Sequence, residues 1–170
     1  DGSKVILNDT DHLWGIGGNR AWVWKSFCRG MNPLFMDPYN RAQDGEKRTW
    51  TDHLTNRLEL DPQWEPIRKS LGYTLAYAKR MNLASMTPRN DLASTKYCLA
   101  NLGSEYLVYL PEGGKVTVDL STVSGETSME WFNPNAGETI PGEPAAGGSS
   151  QEFTAPFSGD AVLYIIRSGS

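Results

Sequence analysis

The feature that most constrains this chain is an abrupt change of text near Pro88–Asp91. Before it, short apolar runs alternate with stretches of helical spacing. After it, short runs of period two are separated by turns rich in Gly, Pro and Asn. Charge marks the same seam. Residues 1–90 hold 13 Lys+Arg and 10 Asp+Glu, a net of +3, while residues 91–170 hold 3 and 10, a net of −7; together they give the overall −4. Five of the six Trp (14, 22, 24, 50 and 64) fall on the first side. A break of this kind predicts two structural units, 1–87 and 88–170, in an α+β, multidomain chain.

The first unit reads as β/α text. Lys4–Asn8 is an apolar run ending in polar residues, the pattern of a buried parallel strand. After a loop, Val23, Trp24, Phe27, Cys28 and Met31 recur at helical spacing, so Arg20–Met31 is predicted helical. Gly30 and Asn32-Pro33 supply its stop. Leu34–Met36 is a second apolar strand, which makes a βαβ unit of ordinary size. The polar stretch Asn40–Leu60 is long for a loop, and loops of that length tend to carry function. Asp61-Pro62 then opens a helix over 62–81, with Trp64, Ile67, Leu71, Leu75, Ala78 and Met81 as its apolar stripe.

The second unit reads as an antiparallel β-sandwich. Its predicted strands are Lys96–Ala100, Glu105–Leu110, Lys115–Leu120, Ser128–Phe132, Gln151–Ala155 and Ala161–Ile166. Val116, Val118 and Leu120 alternate with Thr117 and Asp119, giving one buried and one wet face. Pro141–Ser150 is predicted to be a flexible surface loop.

The chemistry concentrates behind the first two strands. Asp9, Asp11 and His12 directly follow the first strand, and Asp37 follows the second. In parallel β/α architectures the loops at that end converge on one open face. Paired carboxylates suit glycoside hydrolysis, one as acid and one as nucleophile or base. Trp14, Tyr39 and Trp50 would supply apolar platforms for sugar rings. The competing reading is structural, since an Asp after a strand also caps helices and fixes loops. A metal reading of Asp9-x-Asp11-His12 needs His53 or Asp37 as a third ligand and matches no defined motif, so no metal and no cofactor is expected. Tyr106, Tyr109, Trp131, Phe132, Phe153 and Tyr164 read as sandwich core, with a binding face as the alternative. Asp119, Glu126 and Glu130 form no recognised calcium loop. Cys28 and Cys98 read as buried free thiols.

The net charge argues against a nucleic-acid partner, which calls for a basic stripe. No apolar run approaches the ~18 residues of a membrane span. The opening Asp1-Gly2-Ser3-Lys4 has no initiator Met and no signal-peptide pattern, so the chain is expected to be a piece of a longer polypeptide.

Two long stretches resemble known families. Val5–Gly18 and Trp22–Phe27 are similar to the last part of the barrel in apiosidase-like glycoside hydrolases. Pro88–Ala100 and Glu105–Pro111, with Trp131–Pro134 and Phe153–Pro156, resemble the domain that follows that barrel, a family named for collagen binding by a collagenase. The resemblance implies the last two β/α units of a (β/α)8 barrel followed by a β-sandwich accessory domain. The run at 4–8 would be the seventh barrel strand and Leu34–Met36 the eighth. Helix 62–81 would close the barrel. It implies a polysaccharide as partner of the parent protein, which would be secreted or periplasmic. It makes Asp9, Asp11 and His12 the catalytic candidates, and Trp14, Asp37, Tyr39 and Trp50 the substrate-binding ones. About six barrel strands have no counterpart here, so the chain alone is expected to be inactive. The alternative is a non-catalytic carbohydrate- or collagen-binding module. Strand edges left bare by the missing neighbours are expected to pair with a second copy or to dock on the sandwich.

Overall fold

A computed structural model describes residues 4–10, 18–36 and 62–169. The fold is α+β, mostly antiparallel sheet with two helices. Strand β1 (Leu7–Asp9), helix α1 (Arg20–Cys28) and strand β2 (Asn32–Leu34) come first, and helix α2 (Glu65–Arg80) follows a short 3-10 turn at Pro62–Trp64. Then come β3 (Thr87–Pro88), β4 (Cys98–Asn101), β5 (Glu105–Leu110), β6 (Lys115–Asp119), β7 (Glu126–Asn133), β8 (Glu138–Pro141), β9 (Ala145–Ala146), β10 (Ser150–Thr154) and β11 (Ala161–Arg167).

Seven of these strands form one sheet, ordered β3-β4-β5-β11-β7-β8, with β9 also paired to β7; β6 and β10 form a second, two-stranded sheet. The alternation of side chains explains the layering. Tyr106, Val108 and Leu110 of β5 join Cys98, Ala100, Leu163 and Ile165 on one face, which packs against Val116 and Val118 of β6. Leu107 and Tyr109 join Leu99, Val162 and Tyr164 on the other, which packs against Trp24, Phe27, Tyr77 and Met81 of the helices. Covered on both sides, β5 is buried at all six positions. A strand buried on both faces reads as a continuous apolar run, as this one does.

The predicted strands of the second half all appear, with ends shifted by a few residues. The predicted loop 141–150 is not structureless: it holds the end of β8, all of β9 and the start of β10. Gly142 and Gly147 make this possible. A Cβ on Gly142 would lie 2.6 Å from Met129 Cγ, and one on Gly147 would lie 2.3 Å from the Val123 carbonyl oxygen. The composition that suggested flexibility instead serves close backbone approach.

In the first half β1 and β2 pair in parallel, with Asn8 opposite Pro33. Both strands sit away from the expected ranges, 4–8 and 34–36. Nor are they buried: Val5 is 80% exposed, Leu7 68% and Met36 51%. Docking of the first strand on the β layers is therefore not observed; α1 docks there instead. Helix α1 is capped by Asn19, whose side chain accepts from Trp22 N–H at 2.9 Å. It ends three residues earlier than expected, and Gly30 turns the chain at φ +72. The buried face of α2 is also rotated from the expected stripe. Ile67, Ser70, Thr74 and Tyr77 are buried, whereas Leu75 is 54% exposed.

Candidate functional site

Because β1 and β2 run parallel, the chain leaves both strands at the same end. Thr10, buried just past β1, accepts a hydrogen bond from Met36 N–H through its hydroxyl at 3.0 Å and so ties the two exits together. One residue before Asp9, the Asn8 side-chain amide donates to Ser26 Oγ of α1 at 2.8 Å. Asp9 is the last residue of β1, exposed and in register with Leu34. The sequence reading sets it just after a strand over 4–8; it is instead the last residue of the strand, at the C-terminal edge of a parallel pair. Asp11, His12, Trp14, Asp37, Tyr39 and Trp50, together with His53, lie outside the described residues.

The aromatic set of the second half is core. Tyr106, Tyr109, Trp131, Phe132 and Tyr164 are each at most 5% exposed, and Phe153 packs partly buried beside them. Two carboxylates that sequence reasoning passed over are buried among them. Asp160 holds Arg20 of α1 in a two-pronged pair, Nε to Oδ2 at 3.0 Å and an Nη to Oδ1 at 2.7 Å, and accepts from the Tyr109 hydroxyl at 3.0 Å. Glu105 accepts from the Tyr164 hydroxyl and from the Asn82 backbone N–H just beyond α2. Burial raises the Tyr109 and Tyr164 phenols well above their usual range, and the neighbouring carboxylates add to the rise. The signal for both acids was present: each stands at the head of an otherwise apolar run.

Glu130 is likewise committed, pairing with Arg80 at 2.7 Å and accepting from the Tyr77 hydroxyl at 2.9 Å. Asp119 accepts from Ser121 N–H, which lowers its carboxyl below the ordinary range. Among the described residues no group of three or more His, Cys, Asp or Glu is arranged to hold a metal. Cys28 and Cys98 are buried and free, and burial pushes the Cys98 thiol up to about 12. Neither is primed as a nucleophile, which needs a lowered thiol pKa.

The second half also carries a groove of about 320 Å³ between β10 and the β7–β8 end of the large sheet. Met129, Trp131 and Phe153, with Pro141 and Pro156, form its apolar lining, and Glu143 and Glu152 lie among its polar residues.

Comparison with known proteins gives a family match and two structural matches. The family described as "Putative collagen-binding domain of a collagenase" matches residues 84–165. Among curated proteins nothing matches. Two solved structures share the fold across the seam. One, described as "Glycoside hydrolase", is 16% identical with a TM-score of 0.63. The other, a glycoside hydrolase family 5 protein from Bacteroides vulgatus ATCC 8482, is 18% identical with a TM-score of 0.64. Each match covers 89% of this chain but only 36% of the other. The chain thus carries a segment matching that collagenase-associated family, within a fold found in about a third of two much longer glycoside hydrolases.

Proposed function

We propose that this chain is the C-terminal portion of a glycoside-hydrolase-type protein: the last two β/α units of a barrel over 1–87, and a β-sandwich accessory domain over 88–170. The observation that carries this reading is the parallel β1–β2 pair. Its apolar residues face solvent, as the flank of a sheet that continues elsewhere would. The fold shared with longer glycoside hydrolases supports it. Asp9 then stands on the active face as a catalytic carboxylate, with Asp11 and His12 beside it in sequence. Trp14, Asp37, Tyr39 and Trp50 are the residues assigned to polysaccharide binding. Glycoside hydrolysis needs two carboxylates set about 5–10 Å apart across the scissile bond. The second belongs to an earlier barrel strand, so the 170-residue chain does not turn over substrate.

The test is an aryl-glycoside and polysaccharide assay on this chain and on a longer polypeptide that includes preceding barrel units. Activity in the longer protein, lost on Asp9→Asn without loss of folding, is the expected result. Turnover by the 170-residue chain alone contradicts it. The family match over 84–165 favours a second reading, a non-catalytic binding module. Retention of the chain on insoluble collagen or polysaccharide, with no activity in any longer form, would establish that instead.

A further inference from the structure

The two β layers are mismatched in width. Seven strands lie on one side, while β6 and β10 lie on the other. The far edge of β6 is occupied by a bridge from Ala93 to Val118. The far edge of β10 carries no strand among the described residues. The register shows which of its peptide groups are free. Leu120 N–H donates to Ser149 O at 3.3 Å and Ala155 N–H to Gly114 O at 2.9 Å, both continuing the pairing that sets Ser150 opposite Asp119. Odd-numbered residues are therefore the hydrogen-bonded partners of β6. Ser150, Glu152 and Thr154 direct their N–H and C=O groups outward, and all three residues are exposed.

Beside this edge the large sheet is only partly covered: Trp131 is buried, while Met129 is half-buried. Met129 and Trp131 line the groove there, and Ile140, paired with Trp131, is 37% exposed. An added strand would satisfy the peptide groups of β10 and lay one side-chain face on these residues.

From this we infer that the groove beside β10 takes an extended polypeptide strand, added to the two-stranded sheet, with apolar residues on its inner face and Lys or Arg on its outer one. Main-chain pairing supplies affinity in such strand addition, and alternate side chains supply selectivity. The basic preference follows from charge. Glu143 lines the groove, and Glu152 projects from the edge strand, where Lys115 of β6 already pairs with it at 2.7 Å; these three leave a net negative rim, in a segment, 91–170, of net −7. Antiparallel self-pairing centred on β10 would set Glu152 opposite Glu152, each offset only by its own Lys115, so a second copy gains no new opposite-charge contact there. The inference does not depend on the glycosidase reading.

The test uses the full 170-residue chain and the capped peptide Lys-Val-Lys-Val-Lys-Val, with two N-methylated forms, one at the lysines and one at the valines. Amide hydrogen exchange and backbone NMR shifts follow binding. The expected result is slowed exchange at Ser150, Glu152 and Thr154, lost with one N-methylated form and kept with the other. Glu143→Gln should weaken binding about threefold at low salt, the scale of one exposed charge contact. Unchanged exchange at those amides, or equal binding of all three peptides, overturns the proposal. So does occupation of the groove only by a triple-helical collagen peptide or by a polysaccharide.

Discussion

Asp160 shows how a single buried charge ties the helical layer to the sheet. It is 7% exposed and holds both Arg20 and Tyr109, so Asp160→Asn leaves a guanidinium without its counter-charge. Because Arg20 is itself 27% exposed, the loss is that of a partly buried pair, about 1–3 kcal/mol, which denaturant unfolding will read as a lower midpoint. Glu105 does the same work at the end of α2. The phenols on these carboxylates set the alkaline limit. Tyr77, Tyr109 and Tyr164 titrate higher when folded than their ordinary value of 10.0, and Cys98 higher than its 9.0. Below those ordinary values both states keep the protons and stability is complete. Above them the unfolded chain releases protons that the folded chain retains, so stability falls as pH rises. The unfolding midpoint should hold from pH 7 to about 8.5 and then drop steadily towards pH 11. A midpoint unchanged at pH 11 would contradict the burial of these groups.

At the scale of elements, the two helices show where sequence periodicity stops being informative. The stripe of α2 predicted Leu75 inward, yet the buried positions are Ile67, Ser70, Thr74 and Tyr77. Hydrophobicity names a face only to within a turn. Here Tyr77 is drawn in by stacking edge-on to Trp24, Phe132 and Tyr164 and by its bond to Glu130. The two faces can be told apart by truncation. Ile67→Ala should cost about 2–4 kcal/mol, and Leu75→Ala no more than about 0.5, both from denaturant midpoints. Trp24→Ala should be costlier still, about 3–5 kcal/mol, since its ring packs near-parallel to Tyr109 at 6.1 Å and is fully buried. The strands of the second half were legible because turn residues bounded them. β8 and β9 were missed because close backbone approach and looseness both select glycine.

At the scale of the whole molecule, the bare flank of β1 and β2 is the feature with consequences. Leu7 opens β1 and is exposed, as are Val5 and Ile6 just before it. If that flank is a covered surface in a larger barrel, the 170-residue chain should self-associate at micromolar concentration. Light scattering should show species above 18.8 kDa, and Val5→Lys with Leu7→Lys should restore the monomer. A strictly monomeric parent chain would argue against a buried role for the flank. The sequence by itself determined the two helices and six of the strands between residues 96 and 167, because each depends on side-chain period and turn chemistry within a few residues. Only the tertiary structure decided which helix face meets the sheet, that Arg20 finds Asp160 from 140 residues away, and that β10 is left with an open edge. Those outcomes depend on which surfaces meet in space, and a one-dimensional pattern of apolar and polar residues does not carry that information.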